Sequence, residues 1–97
     1  MQMDEGLDTG AVLAQAELPL TSSSRTPELS ESLSRLGAEL LSENLNDLAQ
    51  GRLSAVPQPS EGVTHAPLIA KADGFISPND PGLQVDRKVR AYDPWPG

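Results

Sequence analysis

The feature that most constrains this chain is a run of leucines framed by a proline and a glycine. Leu29, Leu33, Leu36, Leu40, Leu41, Leu45 and Leu48 recur at steps of three and four, which winds one apolar stripe along an α-helix. Thr26 offers an N-cap oxygen, Pro27 suits the first helical position, where its missing N–H costs nothing, and Glu28 favours the positive end of the helix dipole. Gly51 is the natural stop, in the left-handed C′ position, with Arg52 just beyond. The spacing therefore predicts a helix over 27–50 whose stripe packs into a core, so that Leu40→Ala would cost about 2 to 5 kcal/mol. Gly37, in its middle, costs roughly 1 kcal/mol against alanine and is expected to admit a close neighbour.

Before the helix, Val12, Ala14, Ala16 and Leu18 alternate with Leu13, Gln15 and Glu17. A period of two reads as a strand with one covered face, ended by Pro19, which cannot donate to a ladder. Met1 to Met3 would be the tail of an antiparallel partner, giving a hairpin over 1–20. A first strand of three residues is not stable by itself, which implies a missing part upstream of Met1.

After the helix the chain loses regularity. Pro57, Pro59 and Gly62 make 53–82 read as irregular, with a short extended piece from Val63 to Ile69 that carries His65, a spectator, and a turn at Lys71 to Gly74. Leu83, Val85 and Val89 form the apolar side of a second helix over 83–92, with Asp86, Arg87, Lys88 and Arg90 read as a solvated face rather than a phosphate site. Pro94 and Pro96 give 93–97 an extended exit, with Trp95 as a packing anchor.

Composition narrows what such a chain does. Seven basic against fourteen acidic side chains leave a net charge of −7, so RNA is repelled by the surface as a whole and no RNA binding is expected of this chain alone. There is no cysteine and a single histidine, which excludes thiolate metal sites and argues against a histidine-based one. No apolar run reaches the roughly 20 residues of a membrane span, and the N-terminus lacks the pattern of a secretory signal. The expected compartment is the cytoplasm. No phosphate loop, nucleotide-binding glycine fingerprint or Ser-His-Asp set is present.

One stretch carries candidate chemistry. In Met3-Asp4-Glu5-Gly6-Leu7-Asp8-Thr9-Gly10 two glycines four residues apart bracket Asp8, so the backbone can turn tightly while presenting a carboxylate and a row of amides. Taken with Leu36-Gly37-Ala38-Glu39-Leu40-Leu41 and with Arg90-Ala91-Tyr92-Asp93-Pro94-Trp95-Pro96-Gly97, the chain resembles the methionyl-tRNA formyltransferase family. Leu7-Asp8-Thr9-Gly10 is shared with other folate-dependent formyltransferases; the Pro94-Trp95-Pro96-Gly97 tail after a basic helix is narrower. Family members commonly carry Asn where this chain has Asp93, and Asp-Gly-x-Ile-Asp-Trp where it has Asp73-Gly74-Phe75-Ile76-Ser77-Pro78.

The resemblance implies a fold class, a chemistry and a place. The fold would be α/β, a partial Rossmann-like formyltransferase domain, with residues 1–97 as the C-terminal portion of the catalytic domain and a further domain after 93–97. The reaction would move a formyl group from 10-formyltetrahydrofolate to the amine of methionyl initiator tRNA. Of the family's Asn, His and Asp, only the Asp has a match, Asp8. Glu5, Gly6, Leu7 and Asp8 would line the folate pocket, and no metal is implied. Without the missing partners the chain itself is expected to be inactive, because parts of one catalytic unit do not act additively. Two alternatives stand beside this reading. One is a piece of another folate-dependent formyltransferase, acting on a sugar amine or glycinamide ribonucleotide, or of the formyltetrahydrofolate hydrolase. The other is an acidic interaction module whose leucine stripe captures a partner helix.

Overall fold

The computed structural model describes all 97 residues. Helix α1 spans Thr26–Ala49, a 3-10 turn spans Lys71–Gly74, and helix α2 spans Gly82–Ala91. Two compact units divide the chain: Met1–Leu18 with Arg35–His65, and Pro19–Ser34 with Ala66–Gly97.

The end of α1 is locally determined. Gly51 takes φ +66°; its N–H donates to Leu48 O at 3.1 Å and the Arg52 N–H donates to Asp47 O at 2.8 Å. These two bonds satisfy the orphan carbonyls of the last turn as a Schellman motif does. The Arg52 guanidinium closes the same turn on the Asp47 carboxylate.

The start of α1 departs from expectation. The Thr26 hydroxyl donates to Ala91 O at 2.5 Å and Arg90 O at 3.3 Å, so it serves the frayed carbonyls at the end of α2 rather than acting as a simple N-cap.

The stripe of α1 is not a core. No hydrophobic side chain in the chain is buried, and Leu41, Leu45 and Leu48 are 57%, 55% and 42% exposed. Helical periodicity fixed which residues share a face; Leu29, Leu36 and Leu40 on it are half-buried, and Leu33, Leu41, Leu45 and Leu48 stay exposed. Leu40→Ala in this chain therefore falls below the range for a core leucine, and nothing lies within 4 Å of a Cβ built on Gly37, so the close approach expected there is absent.

The expected hairpin over 1–20 is not formed as strands. One hydrogen bond remains of it, from Gln2 N–H to Ala11 O at 2.8 Å. Val12 instead pairs with Val56 in an isolated antiparallel bridge, each N–H donating to the other's carbonyl at 2.9 Å. Pro57 and Pro59 flank the bridge on one side and lack the donors a longer sheet would need.

At the other end, 93–97 turns back instead of extending, with Gly97 N–H donating to Tyr92 O at 3.0 Å. Trp95, read as a packing anchor, is 56% exposed.

Candidate functional site

Asp4 shapes the candidate loop from inside. Its Oδ1 accepts from the Gly6 N–H at 3.0 Å and from the Thr9 hydroxyl at 2.6 Å, an Asx turn that folds Glu5 to Asp8 outward. Both glycines are needed sterically: a Cβ on Gly6 would meet the Thr9 hydroxyl, and one on Gly10 would run into the Gln2 carbonyl. Asp8 sits at φ +55°, the one non-glycine residue with positive φ. Left-handed backbone is tolerated by Asp and Asn far better than by most side chains.

Glu5, Gly6, Leu7 and Asp8 thus lie together on one exposed loop, with Leu7 75% exposed. The Asp8 carboxylate makes no hydrogen bond or ion pair. Its backbone carbonyl does: Gln58 Nε2 donates to Asp8 O at 2.8 Å and to Gly10 O at 2.7 Å. Sequence reasoning missed both Asp4 and Gln58. Asp two residues before Gly is a readable Asx signal, whereas nothing in 53–59 announces a contact about 50 residues away. His65 is exposed.

Chemically, this loop presents the free carboxylates of Glu5 and Asp8 beside a row of backbone amides. A carboxylate so placed can orient an imidazole and favour its charged form, but it has neither a base nor an oxyanion donor beside it in this chain.

The second unit holds a different kind of site. A hollow of about 260 Å³ is lined by Arg25, Ile76, Lys88, Val89, Tyr92 and Asp93, among others. Its charges are committed to one another. Arg25 pairs with Asp93 at 2.7 Å, and that hydrogen bond, reinforced by the carboxylate's charge, pushes the guanidinium further up. Lys88 Nζ donates to Asp80 Oδ2 at 3.0 Å and to Phe75 O at 2.9 Å. The hydrogen bond from Lys88, helped by the Ser77 N–H, holds the Asp80 carboxyl below the usual aspartate range. Arg90 binds Asp86 at 2.9 Å and Ser24 O at 2.9 Å. The solvated face expected of α2 is therefore corrected: Lys88 and Arg90 tie loops down, and Arg87 alone of the three is free.

No helix is long and apolar enough to cross a membrane. No family model matches the chain. Among curated proteins, a methionyl-tRNA formyltransferase of Chromohalobacter salexigens is 46% identical over 96 residues, covering 99% of this chain and 30% of its own length. Those of Halorhodospira halophila and Myxococcus xanthus are 40% and 43% identical over 97 residues, covering the whole chain and 31% of their length. The chain thus spans about 30% of the length of the relatives it matches. By sequence, along all of its 97 residues, it belongs to the methionyl-tRNA formyltransferase family, as one segment of it.

Proposed function

We propose that this chain supplies the Asp8 loop to a methionyl-tRNA formyltransferase. The observation that carries the reading is the match at 40% to 46% identity along the whole chain, which includes the loop where Asp8 stands free. In the complete enzyme the donor is 10-formyltetrahydrofolate, the acceptor is the amine of methionyl initiator tRNA, the domain is Rossmann-like and the compartment is the cytoplasm. This chain is the C-terminal portion of the catalytic domain and is inactive alone.

Attack of the amine on the formyl carbon builds a tetrahedral oxyanion and releases an amine proton. Donors pre-aimed at the oxygen and a base for the proton come from residues outside this chain. Asp8 orients and charges the imidazole among them, and Glu5, Gly6, Leu7 and Asp8 offer backbone amides and carbonyls to the edge of the folate ring.

The test is a chimera in which this chain replaces the matched stretch of the Chromohalobacter salexigens protein. Formyl transfer by the chimera, lost in its Asp8→Asn variant while folding is retained, supports the reading. Full transfer by that variant removes Asp8 from the mechanism. A second reading, a non-catalytic module that captures a partner helix, is favoured by the exposure of Leu41, Leu45 and Leu48; a chimera that folds without transferring formyl would favour it.

A further inference from the structure

We infer that Gln58 is a positioning residue for the Asp8 loop, a role that rests on the reading of Asp8 above. Both partners of its side-chain amide are carbonyl oxygens, those of Asp8 and Gly10 at 2.8 and 2.7 Å. Only the NH2 end of a glutamine can serve two acceptors, and it has a proton for each.

The register explains why this residue reaches them. Val12 and Val56 form a reciprocal antiparallel pair, so Gly10 faces Gln58, two residues further along each segment. Where the next rung of the ladder would fall, the side-chain amide takes the Gly10 carbonyl and extends to that of Asp8. Pro57 and Pro59 fix φ on both sides of Gln58, which limits the backbone freedom of the residue that makes the contact. Two carbonyls separated by Thr9 are thereby drawn to one donor. That curvature holds Asp8 in its left-handed conformation from outside, as the Asp4 carboxylate holds Gly6 and Thr9 from inside. The contact leaves the Asp8 carboxylate untouched, so Gln58 acts on where that group points and not on its chemistry.

Two measurements test this. In the 97-residue chain, carbonyl NMR resonances of Asp8 and Gly10 are compared between the parent, Gln58→Ala and Gln58→Glu. Both variants are expected to shift these two resonances at neutral pH. Gln58→Glu is expected to recover part of the shift below about pH 4, where a protonated carboxyl regains one donor; loss of packing alone would not reverse with pH. Resonances that do not move in either variant, or that stay displaced in Gln58→Glu at acid pH, overturn the inference. So does a parent chain in which the Gln58 amide protons exchange with water as fast as those of Gln15.

In the chimera described above, Gln58→Ala is expected to lower kcat about tenfold to a hundredfold, the scale of a misplaced catalytic group, with KM for the tRNA unchanged. An unchanged kcat, or a rise in KM alone, overturns the positioning role. If Asp8→Asn leaves kcat intact while the Gln58 variants shift the loop resonances, it is the assignment of Asp8 that has failed, not the contact.

Discussion

The two compact units solve the problem of a missing core in different ways. The unit of 19–34 and 66–97 carries five basic and six acidic residues, net −1, and spends its cations on structure: Arg25 on Asp93, Lys88 on Asp80, Arg90 on Asp86 and Ser24 O. The unit of 1–18 and 35–65 carries two basic and eight acidic residues, net −6. Apart from the Arg52–Asp47 pair at the end of α1, its loops are held by neutral groups, the Val12–Val56 bridge and the Gln58 amide, and by an Asp4 carboxylate that bonds amide and hydroxyl rather than a cation. In the second unit charge is neutralised where it holds loops together, and in the first the Asp8 carboxylate stands unpaired on the loop where a reaction is proposed. A structural acid needs a partner that lowers its free energy; a reacting acid needs a vacancy for one.

The sharpest way to break that contrast is to neutralise one aspartate in each unit. In the chimera, Asp8→Asn is expected to lower turnover a hundredfold or more, the scale of lost catalytic alignment. Asn keeps the size of Asp and accepts the same left-handed backbone, so the loop should persist. Asp93→Asn removes a charge from an exposed ion pair and should leave turnover close to the parent. Equal losses in the two variants would dissolve the distinction.

Smaller effects follow from the glycines. Gly10→Ala drives a Cβ into the Gln2 carbonyl, backbone tied to Ala11 by its own hydrogen bond, and should cost on the order of 1 to 3 kcal/mol, read as faster exchange of the Gln2 amide. Gly74→Ala meets Pro96 Cγ at 2.7 Å and Gly97 O at 3.1 Å, a less severe overlap than at Gly10, and should cost less. In α1, Gly37→Ala meets nothing and should gain roughly 1 kcal/mol of helix stability, visible as increased helical circular dichroism.

The smallest effect is a titration in the second unit. The Asp80 carboxyl is held low by Lys88, so its tie contributes fully above the ordinary aspartate range and is lost as pH falls through the lowered folded value. Carboxyl NMR should place its midpoint below that of a free aspartate, and Lys88→Met should raise it. A midpoint unmoved by that substitution would mean that Ser77, not Lys88, holds the group.

Residue by residue, legibility followed distance along the chain. Gly51 and Arg52 close α1 through bonds to residues three and five positions back, and such contacts are written in the local order of residues. The Asp4 turn is of the same kind, with its bonds to Gly6 and Thr9 reaching two and five positions ahead. Thr26 shows the limit: its hydroxyl suits an N-cap locally, yet it goes to carbonyls about 65 residues away. Lys88 and Arg90 looked solvated because their partners Phe75, Asp80 and Ser24 lie on loops whose course no period describes.

By itself, then, the sequence determined where α1 stops, which leucines share its face, and that an acid would stand in a glycine-bracketed loop, because these depend on backbone geometry within a few residues. Only the tertiary structure decided that Val12 pairs with Val56 rather than with the N-terminal residues, that Gln58 grips the Asp8 loop, and that Leu33, Leu41, Leu45 and Leu48 lie exposed. Those outcomes depend on which distant groups meet, and a donor 50 residues away satisfies a carbonyl as well as a neighbour does.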